Sequence, residues 1–357
     1  MLCELPAEVQ GAIADLERDY CDLEYAPGGA NGYVIFARNR ISRADVAIKF
    51  YSGAPGERRH DEPRLLASIQ HANVLPIIDA RNLSQDWAFF ITPRCGDGDL
   101  DALIAQRPSA LQAIDIALGI CNGASAIHAQ NLIHRDLKPG NIVCHEGAPL
   151  IADFGSVRKI TGDEVDVPAS SHSVLYRPPE SFQTGRYSVQ GDVYQVGLVT
   201  YQLLGGRLPY EPEAYFRASD RKKFSTLIGE FEQSRFQDEV IRKRASSSTL
   251  MNFRTLPPWV SGIATRALRS MTHTSVSERL KSMADVAAVL SRVRAATANW
   301  RWVGEVARLE RRDRTIELRP VGDGMFEPMQ AKGDAFRRVP SQSNGPLRDL
   351  VTKLSGK

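Results

Sequence analysis

The run His134-Arg135-Asp136-Leu137-Lys138-Pro139-Gly140-Asn141 constrains this chain more than any other stretch. Within six residues it sets out a carboxylate, an ammonium and a carboxamide. Two short apolar segments follow, Ile142-Val143-Cys144 and Leu150-Ile151-Ala152. Between them His145-Glu146-Gly147-Ala148-Pro149 reads as a turn-like segment. A hairpin of that layout returns the chain to its start, so Asn141 and the Asp153 of Asp153-Phe154-Gly155 should lie side by side. Both offer hard oxygen ligands. Those suit Mg²⁺, which takes few protein ligands and completes its shell with water and phosphate oxygens.

The pattern H-R-D-L-x-x-x-N followed by D-F-G resembles the signature of the eukaryotic-type (Hanks-type) Ser/Thr protein kinases. The resemblance extends over roughly residues 18–292. It implies an α+β, bilobal protein kinase fold with a β-rich small lobe and a mainly helical large lobe. It also implies transfer of the γ-phosphate of ATP to Ser or Thr hydroxyls of a protein substrate. On that reading Asp136 accepts a hydrogen bond from the incoming hydroxyl and orients it for in-line attack. Lys138 supplies a compact cation near the transferred phosphate, as in Ser/Thr rather than Tyr kinases. Asn141 and Asp153 hold Mg²⁺, with Mn²⁺ as an alternative.

The same resemblance assigns the rest of the site. Pro27-Gly28-Gly29-Ala30-Asn31-Gly32-Tyr33-Val34 aligns with the glycine-rich phosphate loop, with Gly29 and Gly32 matching its second and third glycines and Pro27 replacing the first. Glycines there let backbone N–H groups approach phosphates closely. Val46-Ala47-Ile48-Lys49 carries the lysine for the α and β phosphates. Glu62 is its expected carboxylate partner and Glu57 the alternative, with Pro63 placed in the first turn of the helix that Glu62 opens. Trp87 to Thr92 forms a strand running into a hinge, where Pro93 and the backbone N–H of Cys95 meet the adenine edge. Val34, Ala47 and Val143 sandwich the ring. Ser156 to Ser173, ending in Val174-Leu175-Tyr176-Arg177-Pro178-Pro179-Glu180, resembles the activation segment. Thr161, Ser170 and Ser171 are its candidate phosphorylation sites, Ser173 faces the substrate, and Arg135, Arg158 and Lys159 could bind the added phosphate. Glu180 should pair with Arg279, and Asp192 should brace the catalytic loop.

Beyond this core, Leu5, Val9, Ile13 and Leu16 recur at helical spacing and predict an amphipathic helix in an N-terminal extension, residues 1–17. The kinase domain is expected over 18–294, with a small lobe 18–92 and a large lobe 96–294. Helices are expected at 98–107 and 110–130, the second burying Leu111, Ile114, Leu118 and Ile127. Residues 211–255 carry the basic clusters Arg221-Lys222-Lys223 and Arg242-Lys243-Arg244, which read as a solvated helical insert or a docking surface. From 295 to 357 the pattern changes to short strand candidates, 300–303, 306–309 and 315–318, a turn at Gly322-Asp323-Gly324, and a tail with one short helix. That small β-rich appendage is a candidate surface for a regulatory partner.

Composition narrows the remaining classes. A net charge of +3 over 357 residues is too small to imply nucleic-acid binding. No apolar run approaches the roughly 18 residues of a membrane span, and Met1 to Pro6 lacks the regions of a signal peptide. The five cysteines (Cys3, Cys21, Cys95, Cys121 and Cys144) are scattered, which fits reduced thiols and a cytoplasmic location. Pro27, Pro63 and Pro178 motivate the alternative of a pseudokinase-like ATP-binding module that acts through its C-terminal appendage. A small-molecule kinase is disfavoured by Lys138 and by the near-complete end of the activation segment.

Overall fold

A computed structural model describes residues 5–26, 32–52, 60–161, 166–168, 174–331, 333, 335–340 and 342–356. The chain divides into two compact units, residues 1–100 with 140–157, and residues 101–139 with 158–357.

The first unit is built on a five-stranded antiparallel sheet. Its strands are Tyr20–Ala26, Tyr33–Asn39, Asp45–Ser52, Asp79–Asn82 and Trp87–Pro93, and the last lies between the third and fourth. Alternation along the strands buries Ile35, Ala37, Val46, Ile48 and Phe50 on one face. The helix Ala7–Leu16 lies on that face and inserts Val9, Ala12, Ile13 and Leu16. The spacing read from the sequence thus marks the buried stripe of this helix. The hairpin Ile142–His145 and Ala148–Ile151 joins the same unit through backbone bonds from Leu75 to Ile151 (3.0 Å) and from Cys144 to Gly98 (2.8 Å). Its turn is tighter than the five-residue segment expected. Glu146 and Gly147, at φ 50° and 76°, make a two-residue connection, and Ala148 and Pro149 join the second strand. Positive φ at both central residues matches the strand twist, which favours the shorter turn.

The second unit is mainly helical up to residue 295, with two short strand pairs among its described residues. Its centre is the pair Ala110–Ala129 and Val189–Leu203, with Gly262–Met271 and Met283–Ala295 packed around them. Although no uninterrupted apolar run marks a span in the sequence, Ala110–Ala129 is, among the described residues, one helix long and apolar enough to cross a membrane. Here its apolar surface is spent on core packing, with Ala113, Ile114, Ile116, Ala117, Ile120, Ala124 and Ile127 buried. Ile114 and Ile127 are buried as expected, whereas Leu111 and Leu118 are only partly covered and Ile116 and Ile120 take the interior. The insert 211–255 forms two helices, Ala218–Phe224 and Glu230–Ser246.

Residues 300–346 form a six-stranded antiparallel sheet. The strands expected at 300–303, 306–309 and 315–318 are present as Trp300–Val303, Val306–Glu310 and Thr315–Gly322, the last longer than expected, followed by Met325–Ala331, Phe336–Arg338 and Gly345–Pro346, which carry no clear alternating pattern. The helix Leu347–Ser355 covers one face with Leu350, Val351 and Leu354. Trp259, from the helical part of the unit, completes that core. It stacks on Trp300 at 6.0 Å between ring centroids and meets Trp302 at 5.1 Å.

Candidate active site

In the first unit, strand pairing sets one face of the sheet. Val34 lies opposite Lys49, Phe36 opposite Ala47, and Lys49 and Ala47 lie opposite Phe90 and Thr92. These residues alternate with the buried Ile35, Val46 and Ile48, so Val34, Ala47 and Lys49 share the face away from that core. Lys49 Nζ donates to both carboxylate oxygens of Glu62, at 2.7 and 3.0 Å, and sits 5.6 Å from the Phe90 ring centroid. The two side chains are 22% and 16% exposed, so water screens the pair far less than a surface ion pair. Glu62 is the second residue of the helix Asp61–Ser68. Pro63 follows in the first turn, where backbone N–H groups have no intrahelical acceptor and a proline loses nothing. Glu57 and Gly29 lie outside the described residues.

The hairpin brings Asn141 and Asp153 to adjacent positions. Ile142 pairs with Ile151, and the Ala152 N–H donates to the Asn141 carbonyl at 2.9 Å. Asp153 takes a left-handed backbone, φ 54°, and its carboxylate accepts the Gly155 N–H at 3.3 Å. Phe154 is buried, and its 3-10 turn packs on the helix that carries Glu62. Val143 on the hairpin bridges to Asp99 in the segment after Pro93, and the Gly147 N–H donates to the Asp97 carboxylate at 2.9 Å. Pro93 pairs with Val46, and Cys95 is half-buried, its thiol pushed up to about 11 by burial and by Asp97. Gly32 has a reason of its own. At φ 144°, a Cβ there would fall 2.0 Å from the Phe50 carbonyl oxygen, so only glycine fits against the neighbouring strand.

In the second unit, Asp136 is nearly buried and its Oδ2 accepts from Lys138 Nζ at 2.9 Å. The loop that carries them hangs on the helix Val189–Leu203. Asp192, fully buried, accepts the backbone N–H groups of His134 and Arg135, each at 2.9 Å, and pairs with His128 Nε2 at 2.8 Å. Burial opposes its ionisation, but the His128 hydrogen bond and the donors of His134 outweigh it and hold its carboxyl below the ordinary value. One turn on, Gln195 accepts the Leu137 N–H at 2.7 Å and donates to the Arg135 carbonyl at 3.2 Å. Sequence reasoning missed Gln195 and the use of His128. The available signal was a carboxamide three residues after Asp192 on a helix otherwise almost wholly interior.

Arg135, at φ 69°, donates to the Pro168 carbonyl. Burial and the neighbouring Arg158 lower its guanidinium to about 10. Asp166–Pro168 pairs with Arg186–Ser188, while Ser170, Ser171 and Ser173 lie outside the described residues and Thr161 is exposed. Glu180 receives both Nη groups of Arg279, at 2.8 and 2.7 Å, and the arginine side chain is fully buried over the Tyr194 ring.

Lys49, Glu62, Asn141, Asp153 and the described nucleotide-site candidates therefore belong to the first unit, and Asp136 and Lys138 to the second. A family model described as the protein kinase domain matches residues 27–288. Mitogen-activated protein kinase HOG1 of Beauveria bassiana is 30% identical over 259 residues, 70% of this chain and 69% of its own. The proteins of the same name from Trichoderma harzianum and Gibberella zeae are also 30% identical and are covered to 70%. On these matches, and with the β-rich first part, helical middle and β-rich end described above, the chain belongs to the eukaryotic-type Ser/Thr protein kinase family.

Proposed function

We propose that this Ser/Thr kinase moves the γ-phosphate of ATP to Ser and Thr hydroxyls of protein substrates and phosphorylates its own activation segment. The observation that carries the reading is the two-pronged Lys49–Glu62 ion pair, held in the same unit as the adjacent Asn141 and Asp153. Lys49, oriented by Glu62, binds the α and β phosphates. Val34, Ala47 and Val143 hold the adenine ring, Pro93 and Cys95 offer the hinge backbone, and Gly29 and Gly32 close the phosphate loop. Asn141 and Asp153 suit Mg²⁺ or Mn²⁺ by their hard oxygens. Among the described residues no group of three or more His, Cys, Asp or Glu could hold an ion alone, so a cation here would share its shell with phosphate oxygens. Bound there, it supplies charge neutralisation as the phosphoryl group transfers. Asp136 accepts the substrate hydroxyl's hydrogen bond, and Lys138 sits against it to offset the charge that gathers at the transferred phosphate.

Control follows from Arg135 and Arg158. Two neighbouring guanidiniums, one largely buried, form a positive pair that would draw in a phosphate on Thr161, Ser170 or Ser171. We take residues 18–294 as the kinase domain, 1–17 as its helical extension and 295–357 as the appendage. With Cys21, Cys95, Cys121 and Cys144 as free thiols, we place the protein in a cytoplasmic setting.

The test is incubation with Mg²⁺ and labelled ATP, beside Asp136→Asn, followed by mapping of labelled sites by mass spectrometry. Label on Thr161, Ser170 or Ser171 in the parent alone is expected. Undiminished label in Asp136→Asn would overturn the role of Asp136, and nucleotide binding without any label would favour a binding module.

A further inference from the structure

Four arginines on the strands of the C-terminal sheet are matched by carboxylates. Arg301 pairs with Glu310 at 2.7 Å, Arg308 and Arg319 share Glu317, and Arg338 reaches Glu327 at 3.4 Å. Arg314, in the turn before the strand that begins at Thr315, makes no ion pair among the described residues, and among them its buried Nε, like that of Arg301, has no hydrogen-bond partner. A buried donor without an acceptor is costly and calls for an explanation.

Arg314 lines a cavity of about 260 Å³ together with Arg311, Gln330 and Gln342, and the walls include Ile316 and Leu354. Among the described residues no carboxylate is part of the lining. Arg311 spends one Nη on the Leu354 carbonyl at 2.5 Å, which fixes its planar head at the end of the helix Leu347–Ser355 and leaves its other donors uncommitted to that bond. The turn that presents both arginines is closed by the Arg311 N–H on the Arg314 carbonyl at 3.0 Å. Two guanidiniums and two carboxamides exceed what a single carboxylate can use. They match the three acceptor oxygens and near-double charge of a phosphomonoester. The apolar wall would serve the carbon stem of a phosphorylated side chain and would be wasted on a free ion.

We propose that this cavity is a reading site for phosphorylated Ser or Thr side chains on proteins. The choice of that ligand rests on the kinase reading above, since the reaction makes the same group; the site would let the enzyme hold a chain already phosphorylated while another hydroxyl is used.

The experiment is fluorescence anisotropy on the full chain, without nucleotide. The probes are a labelled peptide mixture with a fixed central phosphoserine or phosphothreonine and degenerate flanks, and its unphosphorylated twin. Expected is at least about tenfold tighter binding of the phosphorylated mixture, lost by at least about tenfold in Arg314→Gln, with inorganic phosphate competing weakly. Arg314→Gln should keep the parent's activity on a short unphosphorylated peptide. Equal binding of the two mixtures, or binding unchanged in a folded Arg314→Gln protein, overturns the proposal. So does inorganic phosphate as strong as the peptide, or preference for vesicles containing a phosphoinositide. Should Arg314→Gln fail to fold, Gln342→Leu is read instead and should weaken the phosphorylated mixture by at least about threefold. Asp136→Asn must bind like the parent, which separates a failure here from a failure of the transfer chemistry.

Discussion

At the scale of single residues, the site depends on charges made useful by position rather than by kind. Lys49 is an ordinary strand lysine until Glu62, thirteen residues away, takes its ammonium with both oxygens in a setting only 22% and 16% exposed. Glu62→Gln keeps the size and one acceptor but removes the charge. Lys49 then loses its fixed direction, and kcat/KM for a peptide substrate should fall about 10²-fold, on the scale of losing one preorganised electrostatic contact. On the proposed reading the pair acts on phosphate placement, so thermal stability should move little. Steady-state kinetics beside a melting curve checks both, and unchanged kcat/KM would remove Glu62 from the site. This pair was legible, because the lysine, the helix start and the proline in its first turn all carry local rules. The reason for Gly32 was not. Its neighbour, the Phe50 carbonyl, comes from the pairing register rather than from the loop.

At the scale of elements, the helix Val189–Leu203 is the scaffold on which the loop of Asp136 and Lys138 is hung. Residues 191 to 203 are buried without exception, so the helix shows no apolar stripe. That is why Asp192 could be read only from its motif and Gln195 not at all. Asp192 has its carboxyl held below the ordinary value in the folded chain. A carboxyl with a depressed folded pKa contributes stability that is complete above its unfolded value, about 3.9, and is lost as the pH falls through the folded one. Asp192→Asn should therefore cost about 3 kcal/mol at pH 7 by breaking a buried, multiply bonded charge. The gap between parent and variant should narrow as the pH is lowered below about 4. Chemical denaturation at pH 7, 5, 4 and 3 measures it, and a gap that stays constant would mean that Asp192 is not charged in the fold.

At the scale of the whole molecule, the sequence is most legible where its motifs are densest and least where partners are remote. The first strands of the C-terminal sheet could be read, whereas Met325–Ala331 could not, because Pro328 and scattered polar residues hide its alternation. It is a strand because Thr315–Gly322 pairs along its length and the Val339 N–H donates to the Pro328 carbonyl at 2.9 Å. Nor could any local rule tell that Trp259 belongs to this distant core. Its rings against Trp300 and Trp302 tie the sheet to the helices of the same unit, with the Leu111 N–H on Asn299 Oδ1 at 3.3 Å as a second tie. A sheet covered on one face by a nine-residue helix has a small core of its own, so it should unfold with the helices rather than after them. Trp259→Ala should then cost about 3 kcal/mol, the lower end for a large buried aromatic because this ring is partly exposed. For a unit of this size that lowers Tm by about 6–12 °C. Helical signal and the fluorescence of Trp300 and Trp302 should shift together in the variant. If the fluorescence transition moved alone, the sheet would be a separately folding attachment, and its removal would leave the helical part as stable as before.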